Sequence, residues 1–313
     1  MTERTRLVTL GPLPPELRRR LEADYALDAF DTGGEAKPGY RVAVTTSLAG
    51  ATAETMAALP DLGLIACNGT GTEQIDLGAA AARGIVVRNT PEAVTDCTAD
   101  FAIGLIFAVT RRIAEGDRFV RAGRWGPERM APTRRVSSMT AGIVGLGRIG
   151  SAVAARAAGL GMGVLYTGPR EKQVPYRFMP DISGLAGAVD VLVLTCPGGE
   201  ATRHVVNADV LDALGADGHV VNVSRGSVVD DAALVAALTA GTIAGAGLDV
   251  FEGEPDLDPR YLDLDNVVLT PHIAAVTEES RRDIAATLHG AIGDFLAGRP
   301  VPDAAVDWRA SAR

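Results

Sequence analysis

Short apolar runs punctuated by glycine, proline and charged residues recur along the chain. In its first third they fit strands at residues 6–10, 41–45, 62–67 and 85–88. Helical spacing separates them at 14–23, 52–59 and 73–83. Strands alternating with helices imply a parallel sheet covered by helices on both faces. A long helical pattern follows from about 95 to 122, with Asp96 placed to cap its start. After a polar stretch through Trp125 and Met130, a second alternation begins. Its strands are expected at 140–144, 163–166, 191–194, 219–223, 242–248 and 267–269.

Six strands with intervening helices predict a doubly wound dinucleotide-binding (Rossmann) sheet. A last helix, from Thr277 to about Leu296, returns to the first domain. The expected division is 1–95, a cofactor domain at 96–278, and 279–313. The Rossmann domain is thus inserted in a smaller, flavodoxin-like α/β substrate domain.

Composition narrows the class. With 313 residues, 47% hydrophobic and 22% charged, the chain can bury the cores of two domains, which excludes global disorder. A net charge of −9 excludes a nucleic-acid partner. Cys67, Cys97 and Cys196 have no metal-ligand spacing, so no metal is expected, and an odd count argues against a disulfide framework. The first residues lack an apolar signal core, and the run 101–109 is too short to span a bilayer. The expectation is a soluble cytoplasmic protein with no membrane partner.

Residues 140–150 read TAGIVGLGRIG. Gly145, Gly147 and Gly150 form G-x-G-x-x-G between a strand and a helix. The first glycine permits a tight turn, the second lets backbone approach a pyrophosphate, and the third lets helix pack on strand. Glycines also punctuate ordinary turns, so the strand–turn–helix setting carries the assignment. An acid usually ends the next strand and accepts hydrogen bonds from the ribose hydroxyls. Here Gly168, Pro169 and Arg170 stand there instead. Without that acid, and with an arginine able to pair with a 2′-phosphate, NADP(H) is expected over NAD(H). The alternative is a surface arginine beside a turn glycine.

Arg225, Glu254 and His272 each follow a predicted strand, which places them at the carboxyl edge of the sheet. A cation, a carboxylate and an imidazole suit reduction of a 2-oxo acid. The substrate carboxylate and carbonyl need a positive anchor, the alkoxide formed needs a proton, and a histidine paired with a carboxylate supplies it near neutral pH.

These motifs, with NTPEAVTDCTADFAIGL, VNVSRG, AGAGLDVFEGEP and TPHIAA, span nearly the whole chain. Together the sequence resembles the D-isomer-specific 2-hydroxyacid dehydrogenase family. Within it, the sequence looks most like NADP-dependent glyoxylate/hydroxypyruvate reductases and plant hydroxyphenylpyruvate reductases. The resemblance implies that Arg225 holds the substrate carboxylate, His272 is the acid in reduction, and Glu254 orients His272. It further implies that backbone N–H groups at Thr70 and Gly71 grip the carboxylate and that Leu48 shapes the side-chain pocket. Leu146, Arg148 and Ile149 would cover the pyrophosphate. Thr98, Cys196, Pro197, Val223 and Asp249 would line the rest of the cofactor site. The sequence departs from the family in having Gly69-Thr70-Gly71-Thr72 where Val-Gly is usual. A homodimer is implied, with the Trp125–Met130 loop reaching the partner. Glu254 argues against a formate dehydrogenase, which carries Gln there. A phosphite dehydrogenase-like enzyme remains an alternative, as does a nucleotide-sensing binding module like the C-terminal-binding-protein corepressors. The lack of long tails and basic runs favours an enzyme.

Overall fold

The computed structural model describes residues 4–31 and 36–305. They fall into two compact units, one running Thr95–Ala275 and the other comprising the chain up to Val94 and from Val276 on.

The first unit holds β1 (Arg6–Thr9), β2 (Ala26–Ala29), β3 (Val42–Thr46), β4 (Leu64–Asn68) and β5 (Val86–Arg88). They form one parallel sheet in the order β2-β1-β3-β4-β5, the flavodoxin-like order. Its helices are α1 (Pro15–Glu22), α2 (Ala53–Ala57) and α3 (Leu77–Ala82). Side-chain caps start two of them: Thr52 accepts from the Thr55 N–H at 3.1 Å and Asp76 from the Ala79 N–H at 2.8 Å.

The second unit begins with α4 (Thr95–Thr110) and α5 (Ile113–Arg121). It continues through β6 (Thr140–Val144), α6 (Arg148–Gly159), β7 (Gly163–Thr167), β8 (Arg177–Phe178), α7 (Ile182–Ala186) and β9 (Val191–Leu194). It ends with α8 (Ala208–Leu214), β10 (His219–Asn222), α9 (Asp231–Ala240), β11 (Gly245–Leu248) and β12 (Val267–Leu269). The seven strands are parallel in the order β12-β11-β10-β9-β6-β7-β8. The order reverses between β6 and β9, which is where such sheets open a crevice for a ligand. The closing helix α10 (Glu278–Leu296) starts from a capping box between Thr277 and Ser280.

Several details differ from the sequence pattern. The expected helix 95–122 is two helices, because Arg112 takes a left-handed backbone (φ 52°) and pairs with Glu115. Asp96 lies inside the first turn of α4 rather than capping it, and it pairs with Arg156 at 3.0 Å. With the turn before it, α4 is long and apolar enough to pass for a membrane span (Glu92–Thr110). Its Ala99, Ala102, Leu105, Ile106 and Val109 are nevertheless buried in the core against α6 and the sheet. Strands β2 and β8 carried no sequence signal: both are short edge strands, one holding Asp28 and the other only two residues long.

Candidate active site

The phosphate loop is shaped by two glycines that the protein itself requires and one that it does not. Gly145 has φ +92°, and a Cβ there would lie 2.7 Å from Cys196 Cα; one on Gly150 would lie 2.2 Å from the Gly145 carbonyl oxygen. A Cβ on Gly147 would meet no atom within 4 Å. Helix α6 has no side-chain cap. The N–H groups of Arg148, Ile149 and Gly150 donate to no other group among the described residues. Unsatisfied donors at a helix N-terminus beside an open glycine face fit a pyrophosphate.

At the end of β7, Gly168 is open on its Cβ side, and Pro169 and Arg170 are exposed. Arg170 forms no ion pair among the described residues. Lys172, two residues further on, carried no sequence signal. Its backbone N–H donates to the Tyr166 hydroxyl at 2.7 Å, and its ammonium folds back onto the Leu146 carbonyl of the phosphate loop. Leu146 and Cys196 are buried at the same edge, while Pro197 is exposed. Burial pushes the Cys196 thiol up to about 11, so it is no nucleophile at neutral pH. Thr98 and Val223 are buried.

The turn after β10 presents Arg225. The side chain of Asn222, 1% exposed, ties it together: Oδ1 accepts from the Ser224 N–H (3.0 Å) and hydroxyl (2.8 Å), and Nδ2 donates to the Arg225 carbonyl at 3.0 Å. Gly226 then packs against the backbone of Phe251 and Glu252, which brings this turn beside the loop carrying Glu254.

Glu254 uses both carboxylate oxygens. Oε1 accepts from the Phe251 N–H at 2.9 Å, and Oε2 lies 2.6 Å from His272 Nδ1. Nε2 of His272 has no partner among the described residues, and the side chain is 42% exposed, so that nitrogen is open to a ligand. His272 itself has φ +52°. Its N–H donates to the carbonyls of Asp249 (2.9 Å) and Thr270 (3.0 Å). The Asp249 carboxylate, 1% exposed, accepts from Thr270 Oγ1 (2.6 Å) and from the N–H groups of Ile273 (2.9 Å) and Ala274 (2.8 Å). Asp249 thereby holds the histidine turn in its strained backbone. Its partner Thr270 and the knot at Asn222 both lie inside quoted motifs, but nothing local in the sequence marked them.

The electrostatics follow from these contacts. The Glu254 hydrogen bond raises the His272 pKa above the ordinary histidine value; burial and the Arg225 charge act against it. Burial pushes the Glu254 carboxyl up. Hydrogen bonds from His272 and Phe251, with the charges of His272 and Arg225, outweigh it and hold the carboxyl below its usual range. The other histidines lie away from this site. His204 bonds Glu252 at 2.9 Å, His289 bonds Asp24 at 2.8 Å, and His219 is mostly buried at the start of β10.

In the first unit, Leu48 follows β3 and is 79% exposed, while Thr70 and Gly71 form the turn after β4, the latter buried.

A glycine-rich turn at a sheet crevice, with an arginine, a glutamate and a histidine at the same carboxyl edge, defines a nicotinamide-dinucleotide-dependent oxidoreductase. Residues 103–274 match the family described as D-isomer specific 2-hydroxyacid dehydrogenase, NAD binding domain, and the chain belongs to that family. It is 41% identical to the 2-ketogluconate reductase of Gluconobacter oxydans over 91% of this chain and 93% of that one. It is 38% identical to a glyoxylate/hydroxypyruvate reductase of Arabidopsis thaliana over 94% and 96%. Among solved structures, the NADPH-dependent glyoxylate/hydroxypyruvate reductase of Sinorhizobium meliloti, in complex with NADP and malonate, matches with a TM-score of 0.90. The identity there is 35%, covering 97% of this chain and 98% of that one. The protein is thus a D-2-hydroxyacid dehydrogenase/reductase that acts on 2-oxo acids with NAD(P).

Proposed function

We propose that the protein reduces a small 2-oxo acid of the glyoxylate or hydroxypyruvate type to the D-2-hydroxy acid, with NADPH preferred over NADH and His272 as proton donor. The observation that carries this is the 2.6 Å contact of Glu254 with His272 Nδ1, which leaves Nε2 open. The phosphate loop and the N-terminus of α6 would hold the pyrophosphate, with Leu146, Arg148 and Ile149 along it and Thr98, Cys196, Pro197, Val223 and Asp249 around the rest of the cofactor. The reduced nicotinamide, when bound, supplies the hydride.

Arg225 pairs with the substrate carboxylate and polarises its carbonyl, and within the first unit the N–H groups of Thr70 and Gly71 are read as carboxylate donors. His272 releases the Nε2 proton to the oxygen as the alkoxide forms, while Glu254 keeps the Nδ1 proton in place and the ring oriented. Leu48 shapes the side-chain pocket. NADPH preference is supported by the missing acid at Gly168 and by exposed Arg170, with Lys172 close behind.

We read the assembly as a cytoplasmic homodimer, a reading supported by exposed Ile113, Val120 and Trp125 on and after α5. Sedimentation as a single 32.4 kDa chain would refute the dimer.

The function is tested by following loss of NADPH or NADH absorbance with glyoxylate, hydroxypyruvate, pyruvate, 2-ketogluconate and phenylpyruvate. Turnover of the small acids with NADPH well above NADH supports the proposal. Equal rates with the two cofactors refute the preference, and no turnover in protein that binds NADPH refutes the reaction.

A further inference from the structure

Three consecutive carbonyls of the turn after β4 are each held by a partner. The Gly69 carbonyl accepts from the Thr90 N–H at 2.9 Å and from Thr90 Oγ1 at 3.2 Å; the Thr70 carbonyl accepts from Asn89 Nδ2 at 2.7 Å; the Gly71 carbonyl faces the Cys67 thiol at 3.6 Å. In a planar trans peptide the C=O and the following N–H point in opposite directions. Pinning each carbonyl therefore turns the N–H of the next residue, Thr70, Gly71 or Thr72, away from that carbonyl's partner. None of the three donates to another group among the described residues. Successive N–H groups left open and co-directed form an anion-binding concavity. Gly69 permits the bend: its φ is +119°, and a Cβ there would lie 2.3 Å from Ser47 Oγ.

Thr90 and Cys67 are fully buried on the core side of this turn. Asn89, one residue beyond β5, is only partly buried, and it supplies the shortest of these bonds, to the central peptide of the turn. A carbonyl oxygen only accepts, so the amide nitrogen of Asn89 must face it, and an aspartate there could not make the bond. We infer that Asn89 is a positioning residue for substrate: it fixes the Thr70–Gly71 peptide so that its N–H addresses the carboxylate of a 2-oxo acid. This rests on the 2-oxo acid reading above. Asn89 lies in the first unit and bonds the turn, not the substrate. It acts on a group that stays charged throughout the reaction, so its contribution is to binding rather than to the chemical step.

The test compares wild type, Asn89→Ala and Asn89→Asp in steady-state reduction of glyoxylate and hydroxypyruvate at saturating NADPH, with thermal melts in parallel. Loss of the bond is expected to raise the 2-oxo acid KM roughly tenfold in Asn89→Ala while kcat and the NADPH KM stay near wild type. Asn89→Asp keeps the shape but sets a carboxylate against the Thr70 carbonyl, and its KM should rise further. A purely structural role would lower the melting temperature and the active fraction without this KM-against-kcat split. Wild-type turnover together with unchanged KM in both variants overturns this assignment alone. Absence of turnover on every 2-oxo acid by wild type overturns the functional reading and this inference with it.

Discussion

A Cβ placed on Gly226 would lie 1.8 Å from the carbonyl carbon of Phe251. The turn bearing Arg225 and the loop bearing Glu254 are therefore packed backbone to backbone, at a separation only glycine allows. The alanine variant must push the two loops apart. Gly226→Ala should destabilise the protein by about 1–3 kcal/mol and reduce turnover even where it folds. A variant with wild-type melting temperature and kcat would contradict the packing.

The pair of His272 and Glu254 sets a pH window. His272 stays protonated to higher pH than an ordinary histidine, so the pair's support of the fold is complete below the ordinary histidine value and fades as pH rises through the raised one. The Glu254 carboxyl is held low, so its support is present above the usual carboxylate range and fades as pH falls through the lowered value. Reductive kcat/KM should accordingly hold level between these limits and fall on the alkaline side at a pH above the ordinary histidine value. Glu254→Gln should move that fall to lower pH. A pH–rate profile whose alkaline limb stays put in the variant would sink the pairing.

His272→Ala removes the proposed proton donor but no contact with the phosphate loop. Its kcat for reduction should fall about a hundred- to ten-thousand-fold. NADPH affinity, read by fluorescence titration, should hold. Near-normal kcat would remove His272 from the reaction.

Two glycines of the phosphate loop should part company on substitution. Gly150→Ala drives a methyl onto the Gly145 carbonyl and should lower the melting temperature. Gly147→Ala meets open space, so it should melt like wild type yet bind NADPH roughly tenfold more weakly or worse, because the methyl stands where backbone must approach pyrophosphate. Unchanged affinity in Gly147→Ala would place the pyrophosphate elsewhere.

At the end of β7, Gly168→Asp has room for its side chain and restores the usual ribose-binding acid. Combined with Arg170→Ala it should reverse the proposed NADPH preference in favour of NADH, measured as the ratio of kcat/KM values. An unchanged ratio would show that discrimination lies elsewhere, with Lys172 the nearest remaining cation.

Features set by local spacing could be read from the chain before any fold was known. Gly145, Gly147 and Gly150 follow a strand at fixed intervals, and strands β6, β9 and β12 match their apolar runs residue for residue. Edge strands β2 and β8 could not be read this way, because they bury little and their composition is that of a loop. Nor could the break at Arg112, where the helical pattern runs on unbroken and only the backbone dihedral changes. The use of Asp249 was also hidden. Its carboxylate serves the N–H groups of Ile273 and Ala274, more than twenty positions along the chain, and that pairing exists only once β11 and β12 lie side by side. Arg225, Glu254 and His272 stood out because each follows a strand; the residues that hold them did not, since asparagine and threonine in a loop look alike whether they brace a site or face water.

Lysine is nearly absent from this protein, which uses arginine almost everywhere; Lys37 and Lys172 are the two exceptions. One of them folds its ammonium onto the phosphate loop, and the other holds the carbonyl of Asp31 at 2.9 Å in the first unit. Amine-directed labelling thus has one side-chain target beside the proposed dinucleotide site and one internal reference remote from it in sequence. Mass spectrometry of the two modified peptides, with and without nucleotide, would turn an accident of composition into a site-resolved occupancy assay that needs no engineered cysteine or fluorophore.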